Sequence, residues 1–272
     1  MSYNLLKGKR GIIFGALDET SIAWKVAEKC HEEGATFTLS NAALAMKMGA
    51  INDLAEKCNA EVIPADATSL EDLENLVAKS QEVLGGKIDF VLHSIGMSPN
   101  IRKKKPYEDL NYTWFEKSID VSALSFHKVM NVLYKNDAMN DGGSILGLSY
   151  IAAQRVFPDY TDMAQAKAVL ESIARSFGHK WAIKNGTRVN TISQSPTVTT
   201  AGKGIAGFNA FIDFAEKMSP LGNATGEDCA DYCVAMFSDL TKRVTMQNLM
   251  HDGGFSSTGI TQEIIEALEA NA

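Results

Sequence analysis

The chain has no apolar run approaching the roughly 20 residues that a membrane-spanning helix needs, and its first residues, MSYNLLKGKRGIIFGA, lack a separate apolar region with a cleavage site behind it. A cytoplasmic protein with no membrane partner is the expectation. Basic excess is missing as well: 26 lysines and arginines stand against 33 aspartates and glutamates, and a formal charge of −7 argues against general binding to nucleic acid. That balance suits a small-molecule substrate. Cysteine is scarce, and of the four present, Cys229 and Cys233 have no histidine or further cysteine close by in sequence to complete a tetrahedral metal site. Buried, reduced thiols are expected rather than a metal centre. Repeats, low-complexity blocks and linkers are absent too, so 272 residues with 45% hydrophobic content read as one domain spanning residues 1–272.

What the sequence does have is one rhythm. Short apolar runs (RGIIF, ATFTL, AEVIP, IDFVLHS, GSILGLS, RVNTIS and QNLMHDGG) alternate with helical patterns. Helices are expected from Ser21 to about Glu33, Ala42 to Cys58, Ser69 to Leu84, Asn111 to Tyr134, Ala164 to Ile183 and Glu227 to Asp239. A parallel crossover needs a dozen or more residues, which these intervals supply. The seven runs therefore predict an α/β fold, a doubly wound Rossmann-type parallel sheet with helices on both faces.

Ligands of such sheets bind outside the carboxyl ends of the strands. The first run ends in GALDETSIAW, where Gly15 lets the backbone approach a pyrophosphate and Ser21 offers a hydroxyl at a helix N-terminus whose unpaired amides attract an anion. The usual G-x-G-x-x-G is incomplete: Gly11 and Gly15 remain without a third glycine, a pattern that also fits a loop glycine and an ordinary N-cap. After AEVIP, Asp66 and Ala67 are placed to meet an adenine, although Asp66 equally suits a turn before TSLEDL. After IDFVL come His93, Ser94, Ile95 and Gly96; Gly96 lets the chain pass close to a ribose, and His93 fits a core histidine better than a catalyst. The coincidence of strand ends points to a nucleotide more than any one motif does.

The fifth run leads into LSYIAAQRVFPDYTDMAQAK, which puts Tyr150 and Tyr160 ahead of Lys167. Seven residues make nearly two helical turns, so Tyr160 and Lys167 would share a face if both were helical. A lysine ammonium there can bond ribose hydroxyls and lower the pKa of a phenol from its ordinary value of about 10. The phenol becomes a better donor to a developing oxyanion.

On these residues the chain resembles the short-chain dehydrogenase/reductase superfamily, and within it the enoyl-acyl carrier protein reductases of bacterial type II fatty acid synthesis. The commoner superfamily pattern is Tyr-x3-Lys with a serine seventeen residues before the lysine; here those positions hold Met163 and Tyr150. Tyr-x6-Lys with a second tyrosine ten residues upstream is similar to the enoyl reductase branch. Gly-x5-Ser-Ile-Ala, His-Ser-Ile-Gly and HDGGFS extend the likeness over nearly the whole chain.

The resemblance implies roles. Gly15, Ser21 and Ile22 match contacts to cofactor phosphate and nicotinamide, Asp66 and Ala67 contacts to adenine, and Ile95, Gly96 and Lys167 the ribose side. Ser98 stands beside the acyl substrate, and Tyr150 and Tyr160 are the active-site tyrosines. Thr197, Val198, Thr199, Thr200 and Ala201 would touch the pyrophosphate and carboxamide, although Gln194, Ser195 and Pro196 stand where the family often reads Ala-Gly-Pro. The second run ends in Ser40 and Asn41, with neither an acid for an adenosine 2′-hydroxyl nor an arginine for a 2′-phosphate. Asn41 is expected to bond on the adenine side. NADH is the implied cofactor, with NADPH left open.

The implied reaction is hydride addition to the β-carbon of a trans-2-enoyl thioester on acyl carrier protein, with Tyr160 stabilising the enolate; Tyr150 assists, shapes the pocket or influences protonation. Residues 195–218 read as a lid, because Gly202, Gly204 and Gly207 disfavour a rigid continuous helix and Phe208, Phe211 and Ile212 offer an apolar face. Arg102, Lys103, Lys104 and Lys105 form either a solvated face or a docking site for an acidic carrier protein. The family is commonly tetrameric, and a homotetramer is expected, with Ala164, Ala168 and Ser172 as a small-residue row for close helix contact. Two other classes stay open at this point. One is a ketoacyl or hydroxyacyl oxidoreductase of the same fold; the other is a non-catalytic nucleotide sensor, which would need neither Tyr160 nor Lys167 so placed.

Overall fold

The computed structural model describes residues 2–47, 50–200 and 208–270. The apolar runs become β1 (Arg10–Phe14), β2 (Thr36–Ser40), β3 (Glu61–Val62), β4 (Ile88–His93), β5 (Met139–Ser149), β6 (Arg188–Gln194) and β7 (Asn248–His251). They form one parallel sheet in the order β3-β2-β1-β4-β5-β6-β7. Chain direction across the sheet reverses between β1 and β4, which opens a crevice at their carboxyl ends. The central strands are buried nearly throughout because helices cover both faces. Gly11, half of the incomplete phosphate motif, proves to serve the sheet: a Cβ there would overlap the ring of Phe90 on β4.

One face is covered by α1 (Ile22–Glu32) and α10 (Gly226–Phe237), whose Trp24, Val26, Val234 and Phe237 pack over Leu39, Phe90 and Leu146. All four cysteines are free and buried there, as expected. The other face is covered by α4 (Leu70–Leu84), α7 (Ser125–Lys135) and α8 (Thr161–Asn185), which enclose Phe126, Leu133 and Trp181. Local chemistry fixes the ends of these helices. Ser69 accepts from the Asp72 amide to start α4, and Gly85 at φ 69° stops it. Thr225 and Asp228 form a reciprocal capping box on α10.

Two expectations need correction. The helix expected from Ala42 to Cys58 is two short ones, α2 (Ala43–Met46) and α3 (Ile51–Lys57). Alanine, leucine and lysine favour helix on both sides, but α2 buries no residue whereas α3 buries Ile51, Leu54 and Ala55, and the Ala50 amide is drawn off to the Leu17 carbonyl. The run from Asn111 to Tyr134 is helical throughout but not uniform. Between α6 (Tyr112–Ile119) and α7, residues Asp120–Leu124 form a widened π turn. There Ser122 Oγ accepts from the Met97 amide at 3.0 Å, docking the widened turn against the loop after β4. Between β4 and α6, α5 (Pro99–Arg102) is a single turn. The expected Ala164 start of α8 lies three residues inside the observed helix, and Tyr160 is its N-cap residue.

Candidate active site

A cavity of about 520 Å³ opens at the carboxyl ends of the central strands. It is lined by residues the sequence reading had scattered over five strand ends: Gly15, Ser21 and Ile22, then Asn41, then Ile95, Gly96 and Ser98. Tyr150, Tyr160 and Lys167 follow from β5 and α8, and Thr197, Thr199 and Thr200 from beyond β6. Asp66, Ala67 and Val198 are not part of this lining, and Ala201 lies outside the described residues.

Gly15 is required by geometry. It sits at φ 97°, and a Cβ would collide with the Ser94 carbonyl oxygen. Only glycine lets the ends of β1 and β4 approach so closely. Ser21 begins α1, and its Oγ accepts from the Leu17 and Asp18 amides, both at 3.2 Å, which rounds the loop above the helix N-terminus. Ser21 and Ile22, at the start of α1, line the cavity, and a helix N-terminus so placed suits an anion. Asn41, expected on the adenine side, lines the cavity while its amide is engaged within the chain: Nδ2 donates to the Ala16 carbonyl at 2.9 Å and Oδ1 accepts from Ala42 N. It ties the end of β2 to the first loop. Asp66 serves the turn that was the alternative reading: Oδ1 accepts from Thr68 N and Oγ1 at 2.8 and 2.7 Å, and although burial, the largest single influence, pushes its pKa up, these bonds together with the nearby Lys117 and Lys128 bring it below the ordinary value.

Lys167 is the most constrained group in the cavity. It is 8% exposed and donates to the Leu148 carbonyl at 2.7 Å, and burial brings its pKa down to about 8, opposed by the nearby Glu171 carboxylate. Glu171, one turn further along α8, accepts from Ser149 Oγ at 2.6 Å and from Gln154 Nε2 at 3.2 Å. A Cβ on Gly96 would lie 3.8 Å from Lys167 Nζ, so a bare backbone faces the ammonium across the cavity.

The tyrosines pack at 5.1 Å between ring centroids, and burial pushes both phenols above their ordinary pKa. The expected lowering of the Tyr160 pKa by Lys167 is not what the chain shows. The ammonium is turned to a backbone carbonyl, and desolvation dominates the phenol. A neutral phenol is a hydrogen-bond donor all the same. Ser98 is buried, accepts from the Ile101 amide and donates to Asp162 at 2.6 Å, so its hydroxyl serves the protein while the residue borders the cavity. His93 is a core histidine. Its Nε2 pairs with Ser125 Oγ at 2.8 Å, and burial takes its pKa down to about 3.

The reading from sequence missed several contributors. Met163, at the place of the commoner superfamily tyrosine, lines the cavity as an apolar wall with Ile101, Val121 and Phe211. Phe157 stacks on Phe211 of α9 (Phe208–Met218) at 5.6 Å and packs on Tyr150 at 5.2 Å, joining the tyrosines to that helix. Gln194 Nε2 donates to the Ala224 carbonyl, and its Oε1 meets His251 Nδ1 at 2.6 Å, which holds the altered loop in place. Phe211 was expected on the apolar face of the cover, but its partner Phe157 left no mark in the sequence.

A family model described as Enoyl-(Acyl carrier protein) reductase matches residues 15–256. The chain belongs to this family. It is similar to the NADH-dependent enoyl-acyl-carrier-protein reductase 2 of Rhizobium meliloti, 33% identical over 98% of this chain and 99% of the relative. The NADH-dependent reductase FabI of Aquifex aeolicus is 34% identical over 94% of both chains. Among solved structures, the FabI–NADH complex from Alistipes finegoldii is 62% identical with a TM-score of 0.94, covering 95% of this chain and 92% of that one. The family fold is the seven-stranded Rossmann-type sheet described above, and its members are oxidoreductases of fatty acid synthesis. The ketoacyl and nucleotide-sensing alternatives are not favoured. Among the described residues no helix is long and apolar enough to cross a membrane.

Proposed function

We propose that this family member reduces the trans-2 double bond of an enoyl thioester carried by acyl carrier protein, using NADH. The observation that carries the reading is the joint placement of Tyr150, Tyr160 and Lys167 in one cavity with the glycine-lined ends of β1 and β4. The residues fit the cofactor. Gly15 and the first turn of α1 take the pyrophosphate, Gly96 and Lys167 the nicotinamide ribose, and Thr197, Thr199 and Thr200 the carboxamide side. When bound, NADH supplies the hydride for the β-carbon. The protein's part is to hold the thioester carbonyl against the Tyr160 hydroxyl, which donates to the oxygen as enolate charge develops. Such a donor, buried and aimed beforehand, acts mainly in the transition state. Lys167 turns from the Leu148 carbonyl toward the ribose hydroxyls, and Ile101, Val121, Met163 and Phe211 exclude water and receive the acyl chain.

The chain acts as one domain, with residues 195–218 as the cover of the site; of these, Ser195, Pro196, Thr197, Thr199, Thr200 and Phe211 border the cavity, and residues 201–207 lie outside the described residues. It assembles as a cytoplasmic homotetramer. Ala164 and Ala168 are only partly covered within the chain and Ser172 is exposed, leaving the small-residue row open to a second copy. NADH oxidation with crotonyl and with acetoacetyl thioesters tests the reaction class. Turnover of the crotonyl compound supports the reading, and turnover of the acetoacetyl compound alone overturns it.

A further inference from the structure

We propose that Asp162 is a positioning residue for Tyr160, holding the tyrosine turn and the acyl-side wall of the cavity in register; this rests on Tyr160 being the oxyanion donor. Asp162 is fully buried, and the four groups holding it are neutral. Oδ1 accepts from Ser98 Oγ at 2.6 Å and Thr161 Oγ1 at 3.1 Å, and Oδ2 from Ser118 Oγ at 2.7 Å and Asn100 Nδ2 at 2.9 Å. A buried carboxylate held only by neutral donors is expensive compared with an apolar residue of similar size. Its use two residues after Tyr160 therefore calls for a reason.

The backbone supplies one. Tyr160 is flanked by Asp159 at φ 65° and Thr161 at φ 35°. A β-branched residue in that region is strained and persists only where its surroundings over-determine it. Thr161's own hydroxyl is bonded to the Asp162 carboxylate, and the carboxylate is anchored to two other segments. The turn that presents the phenol is thus clamped from outside its helix.

The same carboxylate sets the opposite wall. Ser98 starts α5, which carries Ile101 and Arg102 into the cavity lining. Asn100 uses its remaining amide capacity on Asn111, donating to its carbonyl at 3.2 Å and accepting from its N–H at 3.0 Å, and Asn111 in turn caps α6 through the Trp114 amide. The starts of α5, α6 and α8 are all referred to one side chain. Loosening it shifts the phenol relative to the acyl pocket while leaving the phosphate end of the site untouched.

Asp162→Asn keeps the shape but turns one acceptor into a donor facing donors. Turnover at saturating substrates is expected to fall roughly 10- to 100-fold, as for a misplacement of about 1 Å, with the Kd for NADH within about twofold of wild type. In a Tyr160→Phe background the same substitution should cost less than about threefold, since the group it positions is already gone. Normal turnover in Asp162→Asn, or a full additional loss on top of Tyr160→Phe, overturns the proposal. Should Asp162→Asn fail to fold, Ser118→Ala, which leaves the carboxylate three donors, is expected to show a smaller fall with the same non-additivity; unchanged turnover there overturns it too. Wild-type turnover in Tyr160→Phe defeats the oxyanion reading and the positioning role together, whereas slow Tyr160→Phe beside normal Asp162→Asn defeats the positioning role alone.

Discussion

Raising the pH from 7 to 9 is expected to weaken NADH binding about tenfold through one group, Lys167. Burial brings its pKa down to about 8, against an ordinary 10.5, and its ammonium is the group placed to hold the ribose. At pH 7 about nine-tenths of the unliganded protein carries the ammonium, and at pH 9 about one-tenth does; apparent affinity falls by the ratio of these fractions if only the cation binds. His93, which this lysine also influences, stays neutral across the window because its pKa is about 3. The sign for stability runs the same way as deprotonation. Between about pH 8 and 10.5 the unfolded chain holds the lysine proton that the folded chain has lost, so the cost of burying the charge is full below about pH 8 and is relieved as the pH rises through that window. Fluorescence titration of NADH at half-unit pH steps measures the effect, with Lys167→Met as the control that should bind weakly and without this pH dependence. A Kd constant from pH 7 to 9 in the wild-type protein, or an unchanged slope in Lys167→Met, refutes the reasoning.

Gly15→Ala should destabilise the chain by roughly 2 to 4 kcal/mol in urea denaturation and abolish NADH binding, because the methyl meets the Ser94 carbonyl at a φ of 97°; near-normal values of both would show that the two strand ends can part cheaply. Sedimentation equilibrium at low micromolar concentration should give four times the mass of the 29.5 kDa chain, and a species near the single-chain mass would end the tetramer reading.

The fold was legible because each strand is a compact apolar run and each crossover a long helical pattern, so Gly15, Ile95, Tyr150 and Thr197 could be placed at strand ends before any coordinates. The site was less so, for two physical reasons. Side chains at the right position turned out to be engaged elsewhere: Asn41 holds the Ala16 carbonyl, and Lys167 holds that of Leu148. Neither commitment leaves a mark in spacing. The Asp162 cluster was invisible for the opposite reason, since its partners Ser98, Asn100 and Ser118 lie 64, 62 and 44 residues away and meet only once α5, α6 and α8 have packed. The one signal was local, an N-cap pattern at Ser98-Pro99 and again at Asn111. The break between α2 and α3 was hidden by good helix formers on both sides and by an all-apolar α2 that reads as a packing face yet buries no residue.

The central claim is that the Tyr160 hydroxyl stabilises the enolate formed in this cavity. Pre-steady-state and steady-state turnover of Tyr160→Phe with a short enoyl thioester at saturating NADH tests it most directly. The account predicts a loss of about 10² to 10³ in kcat, the effect of removing one preorganised oxyanion donor, with KM and the Kd for NADH little changed. A kcat within twofold of wild type would contradict it.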